Sequence, residues 1–321
     1  MARWLITGGS GFIGTNLIHR LSPSHALVNL DIVPPRDPRQ IPYYSYCDVT
    51  DEISLRSHIR SFKPDHIAHL AALTTFDALS QDAYDVNFLG VRYLLRSIDF
   101  SLVKSVLVFS SKLAEPKSIP ANRFRKSLAA RWYSNSKSLA EFECSTYLTS
   151  YPVVIIRPTS IWGPWFSQPY DRFFAIASKR YAIFINPSSA ATKTFGFVLN
   201  SVEQILSISI NISETSGGTY YIGDYLSANI SDFFQSIRHL QGLPPPLLLS
   251  YMFLRPFAFI GDILSPLSTD VPLDTFRLKN MTTDDIVDLS STRVLLPELP
   301  FDRQSAISQT LEWLSVSRQS I

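Results

Sequence analysis

The stretch L-I-T-G-G-S-G-F-I-G-T-N-L-I, residues 5–18, gathers Gly8, Gly9, Gly11 and Gly14 in a chain that has only 12 glycines. Glycine weakens local structure, so a cluster of this density marks a backbone that must turn tightly or admit a close neighbour. The cluster follows an apolar, strand-like run and opens a helix-period pattern over Phe12–Leu21. Gly8, Gly11 and Gly14 stand in a G-x-x-G-x-x-G arrangement. Between a first strand and a first helix, that spacing implies a pyrophosphate held on the helix amino terminus by backbone N–H groups and the helix dipole. The plainer alternative is a tight strand-to-helix turn with no ligand.

Apolar runs then alternate with helical patterns. Strands are expected at Trp4–Thr7, Ala26–Ile32, Tyr43–Cys47, His66–Ala71, Ser105–Ser110 and Val153–Arg157, and helices at Phe12–Leu21, Asp51–Phe62, Ala83–Phe100 and Tyr133–Tyr151. This alternation predicts the α/β class, with a doubly wound parallel sheet and a smaller mixed carboxy-terminal lobe. After Arg157 the proline and serine content rises and the alternation stops. Residues 1–158 therefore form the expected dinucleotide-binding domain, and residues 159–321 a mainly substrate-binding lobe with some segments returning to the first core. Gly218–Gly223 looks like one more strand, and Ser231–Leu240 and Arg303–Val316 like amphipathic helices.

The composition narrows the partners. A chain of 321 residues with 45% hydrophobic content buries a large core, and a net charge of +2 supplies no broad basic field for nucleic acid. Arg123–Arg131 lacks interleaved aromatics and is expected to be a solvated loop. Cys47 and Cys144 have neither metal-ligand nor disulfide spacing, so no metal site is expected and a reducing, cytoplasmic setting is. The amino terminus enters a strand at once, without a leader pattern. The most membrane-like segment, Leu247–Leu264, is interrupted by Arg255, Pro256 and Asp262, so no membrane span is expected. It reads as a buried helix pair or substrate lid, or else as a membrane-surface contact.

Asp31 ends the second strand 17 residues after Gly14, near the spacing at which a carboxylate reaches an adenosine ribose. It would repel a 2′-phosphate and favour NAD over NADP, although Arg36 and Arg39 nearby keep NADP open. Its alternative role is to cap a loop turn.

With these residues in place, the chain resembles the extended short-chain dehydrogenase/reductases, and within them the NAD-dependent epimerase/dehydratases of nucleotide sugars. The resemblance rests on T-G-G-S-G-F-I-G at Thr7–Gly14, D-V-T-D at Asp48–Asp51, H-L-A-A at His69–Ala72, N-F-L-G at Asn87–Gly90, Y-S-N-S-K at Tyr133–Lys137 and R-P-T-S-I-W-G-P at Arg157–Pro164. It implies a Rossmann fold with NAD as cofactor. It also implies that Asp48 and Val49 contact adenine and that Leu70, Ala71 and Ala72 line the cofactor. Phe12, Ile13, Asn87 and Pro158 join Gly8, Gly11, Gly14 and Asp31 in that cofactor set.

Tyr133 and Lys137 are one helical turn apart. An adjacent ammonium and an oxidised nicotinamide would both favour the phenolate, so that Tyr133 could exchange a proton with a carbinol while hydride moves; Lys137 would also hold the nicotinamide ribose. Relatives end the fifth strand with a Ser or Thr that binds the reacting oxygen; here Val108–Lys112 puts Lys112 near that place, with Ser111 the nearest hydroxyl. Either Ser111 takes the role, or Lys112 supplies a cationic donor, or the site is degraded. Sugar dehydratases of the family carry an Asp-Glu pair immediately after the catalytic threonine, where this chain has Lys112, Leu113 and Ala114, which disfavours elimination. Ser160, Lys193 and Arg277 are the candidate substrate contacts, Lys193 and Arg277 alternatively being solvated surface charges.

These features imply a nucleotide-sugar epimerase or 4-keto reductase. The alternatives are a 3β-hydroxysteroid-type or other lipophilic-alcohol dehydrogenase, motivated by Leu247–Leu264, and a non-catalytic dinucleotide-binding regulator, motivated by Lys112. The resemblance also implies a homodimer formed through Ala83–Phe100 and Tyr133–Tyr151.

Overall fold

The computed structural model describes residues 1–76, 78–114, 125–167, 169–264, 271 and 273–319. They fall into two units. The first comprises Met1–Thr159, Val198–Gly223 and Leu289–Leu299, and the second Ser160–Phe197, Asp224–Asp288 and Pro300–Ile321.

In the first unit the chain runs through β1 (Arg3–Thr7), α1 (Phe12–Leu21), β2 (Ala26–Asp31), β3 (Tyr44–Tyr46), α2 (Glu52–Phe62), β4 (His66–His69), α3 (Val86–Ser97), β5 (Ser105–Phe109), α4 (Arg125–Leu148) and β6 (Val153–Pro158). The Thr219–Ile222 strand completes a seven-stranded sheet by pairing with β6, and the order continues β5, β4, β1, β2, β3. Every pair is parallel. Chain order reverses between β1 and β4, which opens a crevice at their carboxyl ends where ligands of such sheets bind.

Helices cover both faces, so the central strands are apolar on both sides. Leu5, Val106, Val108, Val153 and Ile155 face one core with α2 and α3 residues such as Leu55 and Leu94. Trp4, Ile6, Leu107, Val154 and Ile156 face the other, with Leu17 and Ile18 of α1 and Val202 and Ile205 of the Val198–Ile210 helix. Successive residues of one strand enter opposite cores because strand side chains alternate.

The doubly wound sheet and its added strand match the sequence expectation, while several helix limits differ. Arg125–Arg131 is the opening of α4 rather than a solvated loop, because Leu128, Ala129 and Ala130 are good helix formers; Arg123 lies outside the described residues. Helix α3 begins only at Val86, since Asp82–Tyr84 closes a tighter 3₁₀ turn, and it ends at Ser97 because Ile98 is extended.

The second unit is centred on aromatic packing. Trp162 is buried against Phe174, Phe197 and Phe233, and Phe184 stacks on Phe234 at 4.0 Å. Arg238 is 1% exposed, and its guanidinium donates to the carbonyls of Ala177, Lys179, Arg180 and Pro244. The Leu247–Leu264 segment is a short strand, Leu247–Leu249, followed by a single helix, Tyr251–Leu264. It is not a buried helix pair: only Leu254, Ala258 and Gly261 of that helix are buried, and most of its large apolar residues face out. Among the described residues, no helix is long and apolar enough to cross a membrane.

Arg238→Leu takes the donor from four carbonyls, that of buried Ala177 among them, and is expected to lower stability by about 2 kcal/mol. An unchanged urea midpoint would contradict that role.

Candidate active site

The glycine loop is shaped by close backbone approach. Gly8 has φ +69°, and a Cβ there would lie 2.5 Å from the amide nitrogen of Ala71, on the segment leaving β4. A Cβ on Gly14 would lie 2.6 Å from the Gly8 carbonyl oxygen. Gly11 differs, because its Cβ would meet only that carbonyl oxygen, at 3.1 Å, which leaves its other side open. Gly11 is also the N-cap of α1, with no side-chain cap and no acidic residue in the first turn. The helix start at Phe12 and Ile13 therefore presents backbone amides and positive dipole to a glycine-lined cradle, which fits an anionic pyrophosphate.

Asp31 sits beside this loop at the end of β2. Its carboxylate accepts from the backbone N–H of Ser10 at 3.0 Å and of Val33 at 3.2 Å, joining the loop to the strand end. The Asp48 carboxylate accepts from the N–H and hydroxyl of Thr50 at 2.8 and 2.7 Å and turns the chain toward α2. Next to it, buried Val49 packs where a Cβ on Gly90 would come within 2.9 Å. After β4, the amides of Leu70 and Ala71 are fixed by the carbonyl and hydroxyl of Thr7 at 2.9 and 3.4 Å, and Ala72 follows directly. Asn87 is buried with its amide taken up by both backbone groups of Leu73 and by Ser136, so it orders the segment after Ala72 and the helix that carries Tyr133. Pro158 closes β6.

Tyr133 and Lys137 both lie on α4 and are both buried. The Ser111 hydroxyl hydrogen-bonds the Tyr133 phenol, and it accepts from the Leu113 N–H at 3.1 Å. The structure therefore puts the hydroxyl of Ser111 on the phenol, while Lys112 begins the next 3₁₀ turn. Lys137 donates to the Phe109 carbonyl at the end of β5, at 2.8 Å. The expectation of a favoured phenolate includes an oxidised nicotinamide; in the chain by itself the phenol is held neutral. Burial pushes the Tyr133 phenol up to about 12, with the Ser111 hydrogen bond opposing it. Burial likewise pushes Lys137 down to about 8, against the pull of Glu141. Desolvation outweighs the Ser111 hydrogen bond at Tyr133 and the Glu141 charge at Lys137.

Sequence reasoning missed the walls of this site. The rings of Phe76 and Tyr84 meet Tyr133 edge-on at 5.6 and 6.2 Å, and Tyr84 is held by its hydroxyl on the Thr75 carbonyl. Glu141, one turn beyond Lys137, binds Arg157 of β6 through two hydrogen bonds of 2.8 and 2.7 Å. The i+4 spacing of Glu141 from Lys137 was a visible signal for that pair. Phe76 and Tyr84 carried none, because they lie between β4 and α3, Tyr84 in a short 3₁₀ turn, where no periodicity marks which side chains meet α4.

The three expected substrate contacts belong to the second unit. The Ser160 hydroxyl bonds the phenol of half-buried Tyr170. Lys193 is 5% exposed rather than solvated, and donates to Asn280 at 2.7 Å. Arg277 pairs with Asp274 at 3.7 Å and donates to the Val271 carbonyl. Asn280 and Arg277 share the Thr275–Thr282 helix, which brings Lys193 and Arg277 to one element.

Residues 4–223 match the model of the NAD dependent epimerase/dehydratase family. A GDP-6-deoxy-D-talose 4-dehydrogenase of Aggregatibacter actinomycetemcomitans is 33% identical over 171 residues, which cover 50% of this chain and 53% of that protein. The chain thus spans about half the length of that relative. In fold it is similar to the epimerase Mth375 of Methanothermobacter thermautotrophicus, with a TM-score of 0.75, 18% identity, and 99% and 94% of the two chains covered. It is also similar to the Bordetella bronchiseptica enzyme WbmG in complex with NAD and UDP, with a TM-score of 0.69, 21% identity and coverage of 98% and 94%.

Two outcomes follow from the site geometry. Gly8→Ala forces a positive φ and a backbone clash, and is expected to cost about 2 kcal/mol or more in chemical denaturation; wild-type stability would contradict it. Lys137 holds its proton less tightly folded than unfolded, so stability rises with pH between about 8 and its ordinary 10.5. Lys137→Met removes that slope and raises stability at pH 7 by about 1–2 kcal/mol, the gain being reduced by the lost bond to Phe109. A less stable variant with an unchanged pH profile would contradict the cost of burying this ammonium.

Proposed function

Because the chain belongs to the NAD-dependent epimerase/dehydratase family, we propose that it acts on a nucleotide sugar as a 4-epimerase or 4-keto reductase, with Tyr133 as the acid and base. The observation that carries this reading is the hydrogen bond from Ser111 to the Tyr133 phenol, with Lys137 one turn further along the same helix. NAD, when bound, supplies the acceptor or donor of the hydride exchanged at the sugar carbinol carbon. The cradle at Gly8, Gly11, Phe12, Ile13 and Gly14 would hold its pyrophosphate, Asp31 its adenosine ribose, and Asp48, Val49 and Leu70–Ala72 would line the remainder. Asp31 also supports NAD over NADP, since a carboxylate repels a 2′-phosphate.

In the reducing direction the neutral Tyr133 phenol gives its proton to the carbonyl oxygen, which becomes the hydroxyl. In the oxidising direction the proton passes from the hydroxyl to the phenolate, which the Ser111 donor and the Lys137 charge stabilise. An epimerase runs both steps on opposite faces of the same carbon. The absence of an Asp-Glu pair after Ser111, where Lys112, Leu113 and Ala114 stand, supports redox or epimerisation over elimination. Ser160, Lys193 and Arg277 are the proposed sugar-nucleotide contacts. We further propose a homodimer formed through α3 and α4, whose exposed Leu139 and Phe142 offer an apolar contact, and a reducing, cytoplasmic setting for the buried free thiols Cys47 and Cys144.

A panel of GDP-, UDP- and dTDP-sugars, with a 3β-hydroxysteroid as comparator, tests this reading by turnover in the presence of NAD. Conversion of a nucleotide sugar, lost by about 100-fold to 10,000-fold in Tyr133→Phe with NAD binding retained, is the expected result. Turnover of the steroid alone, or full activity of Tyr133→Phe, would overturn it.

A further inference from the structure

The Tyr251–Leu264 helix inverts the usual arrangement of an amphipathic helix. A helix at a protein surface normally turns its large apolar residues to the core and its charges to solvent. Here Leu254, Ala258 and Gly261 face the protein, and a Cβ on Gly261 would collide with the Leu273 carbonyl, so the helix is pressed against its neighbour at that glycine. The opposite arc carries Met252, Phe253, Phe257, Phe259, Ile260 and Ile263, every one of them exposed, Met252 to 80% and Phe253 to 67%.

Two properties of this arc identify what it meets. First, its side chains offer no N–H or O–H donor and no oxygen acceptor, whereas a protein interface carries about one hydrogen bond per 100–200 Å². Second, its charges are arranged with one sign outward. The Asp262 carboxylate is turned inward, accepting from the N–H and hydroxyl of Thr275 at 3.1 and 2.6 Å, while Arg255 stands exposed at the border of the arc. Tyr251, amphipathic and 41% exposed, marks the start of the helix. A hydrocarbon-like face bordered by a cation and a tyrosine matches the chemistry of a bilayer interface, with acyl chains below and anionic headgroups beside it. At 14 residues the helix is about 21 Å long, short of the roughly 30 Å hydrocarbon core, so it would lie in the plane of the surface.

We propose that the outer face of the Tyr251–Leu264 helix docks the protein on the surface of an anionic phospholipid bilayer without spanning it. The inference stands apart from the proposed reaction, because no residue of the Tyr133 site takes part. Flotation of the full chain with vesicles tests it, using phosphatidylcholine alone and phosphatidylcholine with one fifth phosphatidylglycerol. Wild type is expected to float with the anionic vesicles, Phe253→Glu/Phe257→Glu to lose at least 10-fold in binding, and Arg255→Glu to lose the preference for anionic over neutral vesicles. Both sites are exposed, and a circular dichroism spectrum and melting temperature like wild type would show that the variants fold. Failure of wild type to bind either vesicle, or unchanged binding by the folded double variant, would overturn the proposal. So would a vesicle-independent dimer that Phe257→Glu dissociates, since the face would then be covered by a second copy.

Discussion

The first unit depends on one close approach, that of the backbone at Gly8 to the backbone leaving β4. With no side chain between them, the loops after β1 and β4 lie in contact where the sheet's winding reverses. The Thr7 hydroxyl and carbonyl then fix the amides of Leu70 and Ala71, and the Gly8 amide donates to Leu30 of β2. Three strand ends are thereby held around one cradle, and α1 begins there with its amides uncapped. Local stability is given up at the glycines so that a phosphate-sized anion can meet bare backbone.

The proton-handling side of the site follows a second constraint, burial. Tyr133 is enclosed by Phe76, Tyr84 and the Ser111 hydroxyl, and Lys137 is tied to the end of β5. Burial raises the phenol to about 12 and lowers the ammonium to about 8, so the two groups lie further apart in acidity than in water, with the ammonium now the stronger acid. A phenol that stays protonated at neutral pH is prepared to act as the acid, and its conversion to a base depends on positive charge and donors close by. Glu141, bound to Arg157, sustains the charge on Lys137 from the far side.

The alternation of strands and helices and the Gly-loop-to-α1 junction were legible in the sequence because both follow from local periodicity and glycine spacing. The limits of α1 coincide with the apolar pattern, whereas α4 starts at Arg125, where helix-forming residues without an apolar stripe hid it. The hydrogen bond between Ser111 and Tyr133 was not legible in the sequence, since it depends on the turn after β5, which no spacing rule encodes. Lys193 stood as either a substrate contact or a solvated surface charge; its burial against Asn280 depends on a helix more than eighty residues away in the chain. The exposure of the Tyr251–Leu264 face was equally hidden, because hydrophobicity alone does not say which side of a helix the rest of the chain covers.

The most direct test of the central claim is a crystal structure of the chain with NAD. The account predicts the pyrophosphate on the α1 amides between Gly8 and Gly14, the adenosine ribose at Asp31, and the nicotinamide ring beside the Tyr133 phenol. A coenzyme bound away from the glycine loop, or one whose nicotinamide lies out of reach of Tyr133, would contradict it.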